Sequence, residues 1–139
     1  MNQVKLYVGL LVLVLFGCSP DDATPKNKAG SGIVGRWRLF RLNGSNGASD
    51  FVTPISAKPL QALTFTNQGR VSKEGSQLSD YYDRPFYRVD SASAYRQLWF
   101  LASEKDTIGY VVGLVIRGDT MHLIPPCYEG CGASFVRID

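Results

Sequence analysis

From residue 33 onward the chain is a succession of short segments with alternating side chains, and none of them sustains a helical period. In "IVGRWRLFRL" (33–42), Trp37 and Leu39 fall on one face of an extended chain and Arg36 and Arg38 on the other. Successive side chains of a strand point to opposite faces, so this pattern predicts a half-buried β-strand. "LQALTFT" (60–66) puts Leu63 and Phe65 on one face, and Asn67-Gln68-Gly69 then predicts a hairpin into "RVSKE". "RPFYRVD" (84–90) and "AYRQLWFLA" (94–102) read as aromatic-rich strands. "IGYVVGLVI" (108–116) turns at Arg117-Gly118-Asp119 into "TMHLIP" (120–125), and "ASFVRI" (133–138) closes the series. Short strands at regular spacing predict an all-β antiparallel sandwich or barrel with no substantial helix. One connection is long, 43–59, and it carries Phe51, Val52 and Ile55. A loop of that length in a compact domain is usually functional, and this one is expected to fold back in part as a lid.

The first residues carry a different signal. Lys5 is followed by "LYVGLLVLVLFG" (6–17), an uncharged run shorter than the roughly 20 apolar residues that span a bilayer. A basic start, a short apolar core and a small residue before a cut site describe a secretory signal. Leu15-Phe16-Gly17-Cys18 resembles the bacterial lipobox, in which a leucine and a small residue precede a cysteine. The resemblance implies a signal peptide over 1–17, fatty-acyl (palmitate-type) lipidation of Cys18, and a membrane anchor in the bacterial cell envelope. The implied location is the outer membrane, facing periplasm or cell surface. A thiolate is the best nucleophile available for taking up such a group, and several acyl chains on one residue hold firmly where one holds marginally. The stretch 18–32 is polar and rich in Pro, Gly and Asp, as a flexible tether is. Asp21 and Asp22 read as solvated linker acids, with an export signal as the other reading.

The formal charge is +3, and the arginines are interleaved with acids rather than gathered into a stripe. That composition gives no sign of a nucleic-acid partner. Of three cysteines, lipid on Cys18 leaves Cys127 and Cys131 in "PPCYEGCGASF". An even remainder in an oxidising compartment favours a disulfide. Zinc needs four ligands, and only His122 and Glu129 offer themselves nearby, so no metal site is read here. The spacing is also one residue longer than the redox Cys-x-x-Cys. Pro125-Pro126 cannot continue a ladder, and Gly130 and Gly132 are expected to supply positive φ for a tight return.

A broader resemblance rests on the Gly-x-Trp of Gly35–Trp37 in the first strand, together with "LTFTNQGRV" and "GDTMHLIPPCYEGCGASFVRI". With these the chain resembles the small lipocalin-like lipoproteins of Gram-negative bacteria. The resemblance implies an up-and-down barrel of about eight strands over 33–139, with Trp37 closing its floor under a packed arginine. Strand order makes Arg137 the candidate partner. The chain departs from typical lipocalins in its shortness and in the absence of a helix after the last strand.

Catalysis has little to work with. A single histidine means that a Ser–His–Asp or Cys–His arrangement can run only through His122, which alternates with Met121 and Leu123 and so faces away from the core. "GSGIVG" (30–35) matches a dinucleotide fingerprint but lacks the strand before and helix after it. "RGD" (117–119) reads as a hairpin turn. The "DSA", "DTI" and "DTM" triplets, at Asp90, Asp106 and Asp119, match a short bacterial glycosylation motif. No enzyme activity and no cofactor are expected. Trp37, Leu39, Phe65, Tyr87, Trp99 and Tyr110 are candidates to line a barrel interior, which in eight strands has room for side chains or for one small ligand. Two functions follow. One is a monomeric, lipid-anchored, non-enzymatic module binding a small apolar or amphipathic ligand. The other is a structural or interaction lipoprotein with a filled core, working through its surface or the 43–59 loop.

Overall fold

The computed structural model describes residues 32–91, 95–128 and 130–139. The signal peptide expected at 1–17, Cys18 and the tether up to residue 31 lie outside the described residues, as does Glu129. Nine strands form one antiparallel sheet: β1 (Gly35–Ser45), β2 (Asp50–Pro54), β3 (Ala62–Phe65), β4 (Val71–Glu74), β5 (Phe86–Asp90), β6 (Gln97–Leu101), β7 (Tyr110–Arg117), β8 (Thr120–Ile124) and β9 (Gly132–Arg137). A single 3-10 turn, Asp80–Asp83, is the one helical element among the described residues.

The order β4-β3-β1-β9-β8-β7-β6-β5 is an up-and-down meander whose first strand is also bonded to its last. β2 and β3 pair with successive halves of the long β1, so together they occupy one place in the wall, and the wall has eight. The two ends of the sheet meet at an isolated bridge between Arg70 and Phe86. Tyr87 N–H donates to Gly69 O at 2.8 Å and Val71 N–H to Pro85 O at 3.0 Å across that seam. The result is a nearly closed antiparallel barrel, as the strand pattern predicts and consistent with a lipocalin-like fold. Near closure leaves little of the sheet as unpaired edge.

Two features lie beyond the sequence reading. About half of the segment 43–59 is strand rather than loop: β1 runs on to Ser45, and β2 returns alongside it. The alternation in β1 also breaks. Leu39 pairs with Phe135 and Arg41 with Ser134, so Phe40 is an extra residue in a bulge. Before the bulge Trp37 and Leu39 face the core; after it Leu42 and Gly44 face inward and Arg41 faces out.

The barrel is unequally filled. At the end where β1 begins and β9 finishes, Trp37, Phe65, Phe100 and Phe135 are fully buried together with Leu63, Leu98 and Met121. There Trp37 Nε1 donates to Ile33 O at 2.7 Å, and the Arg137 guanidinium carbon sits 4.2 Å from the Trp37 ring centre. Arg137 also donates to the carbonyls of Val34 and Gly32. One cation thus stacks on the tryptophan and holds the incoming chain across that end. The other end, where β1 finishes and β7 and β9 begin, is open.

Candidate ligand cavity at the open end

A cavity of about 750 Å³ occupies the open half of the barrel. Small-molecule sites typically measure about 300–1,000 Å³. Its inner surface is made by Leu39 and Leu42 of β1, Leu78, Ala133 of β9, and three tyrosines: Tyr81, Tyr82 and Tyr110. Its rim is made by Phe51 and Thr53 of β2, Pro125, Pro126, Tyr128 and the Cys127–Cys131 disulfide. Asn43, Ser45, Gln77 and Ser79 add neutral polar groups, and among the described residues no charged side chain lines it.

The tyrosines come from the 3-10 turn and from β7. The turn keeps Asp80 and Asp83 in solvent, ion-paired with Lys73 of β4, and sends its tyrosines inward. Tyr82 packs on Phe100 with centroids 5.1 Å apart and lies 6.4 Å from Phe135. Tyr82 is therefore the partition between the filled half and the cavity. Tyr81 stacks on Tyr110 at 4.1 Å with 21° between planes, and the Tyr81 and Tyr82 hydroxyls are hydrogen-bonded at 2.9 Å. The connection that carries this turn is pinned by Gln61, which is 1 % exposed and accepts from Gln77 N–H at 2.8 Å. Burial raises the Tyr82 pKa well above the ordinary phenol value, the neighbouring Tyr81 adding to it, and burial raises that of Tyr81. Both present neutral hydroxyls at physiological pH.

That has a consequence at alkaline pH. The unfolded chain loses these protons near about 10, while the folded chain keeps them. Stability is complete below that pH and falls as pH rises through the folded values. The thermal midpoint is expected to drop steeply above about pH 10, and Tyr82→Phe to flatten the slope. An unchanged slope in Tyr82→Phe contradicts the assignment.

The candidate lining residues from the sequence separate into three groups. Leu39 and Tyr110 line the cavity. Trp37, Phe65 and Tyr87 fill the closed half, with Phe65 and Tyr87 edge-to-face at 5.0 Å and Tyr87 Oη donating to Thr66 O at 2.8 Å. Trp99 is a correction: it faces outward. Leu98 and Phe100 take the interior positions of β6, and Arg88 lies over the Trp99 ring on the outer wall at 5.1 Å. Tyr81 and Tyr82 were missed, because "DYYD" sits in a turn with no strand alternation. Their only signal is an aromatic pair inside an acidic, otherwise polar connection.

The segment expected to fold back returns alongside β1 as β2, with Phe51 and Thr53 at the cavity rim. Gly44 faces Phe51, and a Cβ on Gly44 would collide with the Phe51 ring, so the missing side chain lets that ring close over the rim. Phe51 stays 50 % exposed and Val52 faces solvent, whereas Ile55 packs against the core.

Cys127 and Cys131 are joined in a disulfide at the rim. β8 ends at Ile124, ahead of the two prolines, and Gly130 has φ +69°. Gly132 differs from expectation: it begins β9 and needs no positive φ. The closed loop is short, so the chain-entropy argument gives the bridge about 2 kcal/mol. Reduction is expected to lower stability by about that amount and leave the barrel folded. Thiol counting on the unfolded, unreduced chain checks the bridge, and two free thiols at those positions would refute it.

Among the described residues, no three His, Cys, Asp or Glu side chains gather where they could hold a metal ion. His122 faces away from the cavity, with Nδ1 2.9 Å from Ser134 Oγ. No helix of the described residues is long and apolar enough to cross a membrane. The chain finds no match among protein-family models, curated proteins or solved structures.

Proposed function

We propose that this protein is a lipid-anchored, monomeric, non-enzymatic binding module that holds a small apolar or amphipathic ligand in the open half of its barrel. The observation that carries this reading is the uncharged, aromatic-rich lining of the 750 Å³ cavity. Burying a charge without a partner is costly, so such a lining favours uncharged ligand surface. The tyrosine hydroxyls and the Asn43, Ser45 and Gln77 side chains suit one neutral polar group on an otherwise apolar molecule. Equilibrium titration of the full chain with an uncharged apolar fluorescent probe should give one saturable site. Linear, unsaturable uptake would count against the reading.

Anchoring through Cys18 rests on the lipobox resemblance, and the disulfide supports export to an oxidising compartment. In a producing bacterium, Cys18→Ala should yield an uncleaved precursor that takes up no labelled fatty acid. Persistent labelling of that variant would exclude the site. The domain assignment goes with it: signal peptide 1–17, tether 18–32, barrel 33–139. The second reading, an interaction lipoprotein, is favoured by the exposed apolar side chains of Phe51, Val52, Ile124 and Tyr128 around the mouth. In that case the rim rather than the interior would be the working surface.

A further inference from the structure

The outer wall carries a second cluster, on the opposite face of the sheet from the cavity. Strand register sets Arg41, Ser134, His122 and Val115 in one row across β1, β9, β8 and β7. Arg38, Val136, Thr120 and Arg117 form the adjacent row. All face outward, because Trp37, Leu39, Phe135, Met121, Leu123 and Leu114 beside them are core. Arg41 belongs to this face only because the Phe40 bulge turns it over.

Arg38, Arg41 and Arg117 have no carboxylate partner among the described residues, whereas Arg36 pairs with Glu74 and Arg137 with Asp139. Asp119, in the turn between β7 and β8, makes no ion pair with them. At the centre Ser134 is 0 % exposed. Its Oγ lies 3.4 Å from Arg41 Nη2 and 2.9 Å from His122 Nδ1. A guanidinium only donates, so the serine accepts from Arg41, and the imidazole tautomer sets the direction of its bond to His122 Nδ1. Arg41 Nε is buried and has no acceptor, and an unmade bond of a charged buried donor is expensive. Among the described residues, the three arginines of this wall therefore have no carboxylate to neutralise them, and Arg41 Nε has no acceptor.

We propose that this wall binds a phosphate-type oxyanion, held between the guanidiniums of Arg41 and Arg117 with His122 and Thr120 as further donors and Arg38 at the edge. An oxyanion offers several acceptors to planar guanidinium forks and neutralises a cluster that otherwise repels itself. Burial, then Arg41 from β1 and Arg117 from β7, lowers the His122 pKa. From β9 only Ser134 and Val136 face it. A bound anion offsets the two arginines, so binding strengthens as His122 takes up a proton, and the bound anion raises the imidazole midpoint by linkage.

His122 is the only histidine in the chain, so its imidazole proton resonance reports on this wall alone. The full chain, in non-ionic detergent micelles, is titrated with acid in chloride and in inorganic phosphate at matched ionic strength. Phosphate is expected to raise the midpoint by about 1 pH unit. Arg41→Gln should raise it in chloride and abolish the response to phosphate. Arg117 is exposed, so Arg117→Gln keeps the comparison available if Arg41→Gln fails to fold. A rise with inorganic phosphate alone assigns a soluble phosphate. A rise in chloride when the micelles contain phosphatidylglycerol assigns a lipid headgroup. A midpoint unmoved by either overturns the site.

Discussion

Replacing Trp37 with alanine will destabilise the barrel by about 3–5 kcal/mol, the scale of removing a large aromatic from a core that cannot collapse around the loss. Trp37 is 0 % exposed. It sits where β1 enters the wall, is bonded through Nε1 to Ile33 O, and carries Arg137 on its ring. Removing the indole empties the closed end and takes away the face on which the guanidinium stacks. Arg137 keeps its bonds to the Val34 and Gly32 carbonyls but loses the surface that orients it. Trp37→Phe separates the contributions: it keeps much of the apolar contact and leaves the buried Ile33 carbonyl without its donor, at about 1–3 kcal/mol. Urea denaturation followed by intrinsic fluorescence of the remaining tryptophan, Trp99, measures both. A loss below about 1 kcal/mol for Trp37→Ala would mean that this end is not where the barrel is held.

The second large effect is on binding. Ala133 lines the cavity, and its strand partners Leu42 and Leu123 both face inward. Ala133→Trp places an indole in the space that a ligand would occupy. The affinity for an uncharged apolar probe is expected to fall at least about tenfold, a change of about 1.4 kcal/mol. The new ring enters open volume rather than packed core, so it avoids most of the strain of overpacking, and the thermal midpoint should hold. Tyr128→Ala, at the exposed rim, is the matching control and should change affinity much less. If the two variants weaken the probe equally, the probe sits on the rim and the interaction reading gains.

The wall of this barrel was legible because alternation is written into the residues: Trp37 with Leu39, Leu63 with Phe65, and Met121 with Leu123 all face the core. The disulfide was legible for a similar reason, since counting cysteines needs no tertiary knowledge. Two kinds of information were hidden. The bulge at Phe40 is a matter of pairing between distant strands, and nothing local in "RLFRLN" marks the residue that is left over. Its effect is large, because it decides that Leu42 lines the cavity and that Arg41 joins Ser134 on the outside. The cavity's tyrosines were hidden because Tyr81 and Tyr82 reach the interior from a connection, and alternation describes only strands. Trp99 failed in the opposite way: an aromatic on a strand was expected inside, while Leu98 and Phe100 hold the inward positions of β6 and the indole packs under Arg88.

A ligand-binding barrel must take up apolar matter in its open half. An anomalous-scattering map of the protein crystallised with a brominated long-chain alcohol tests this directly. The predicted result is bromine signal inside the barrel, among Leu42, Leu78, Tyr81 and Tyr110. Signal confined to the outer surface, or a barrel in which those side chains have closed together and left no space, would contradict it.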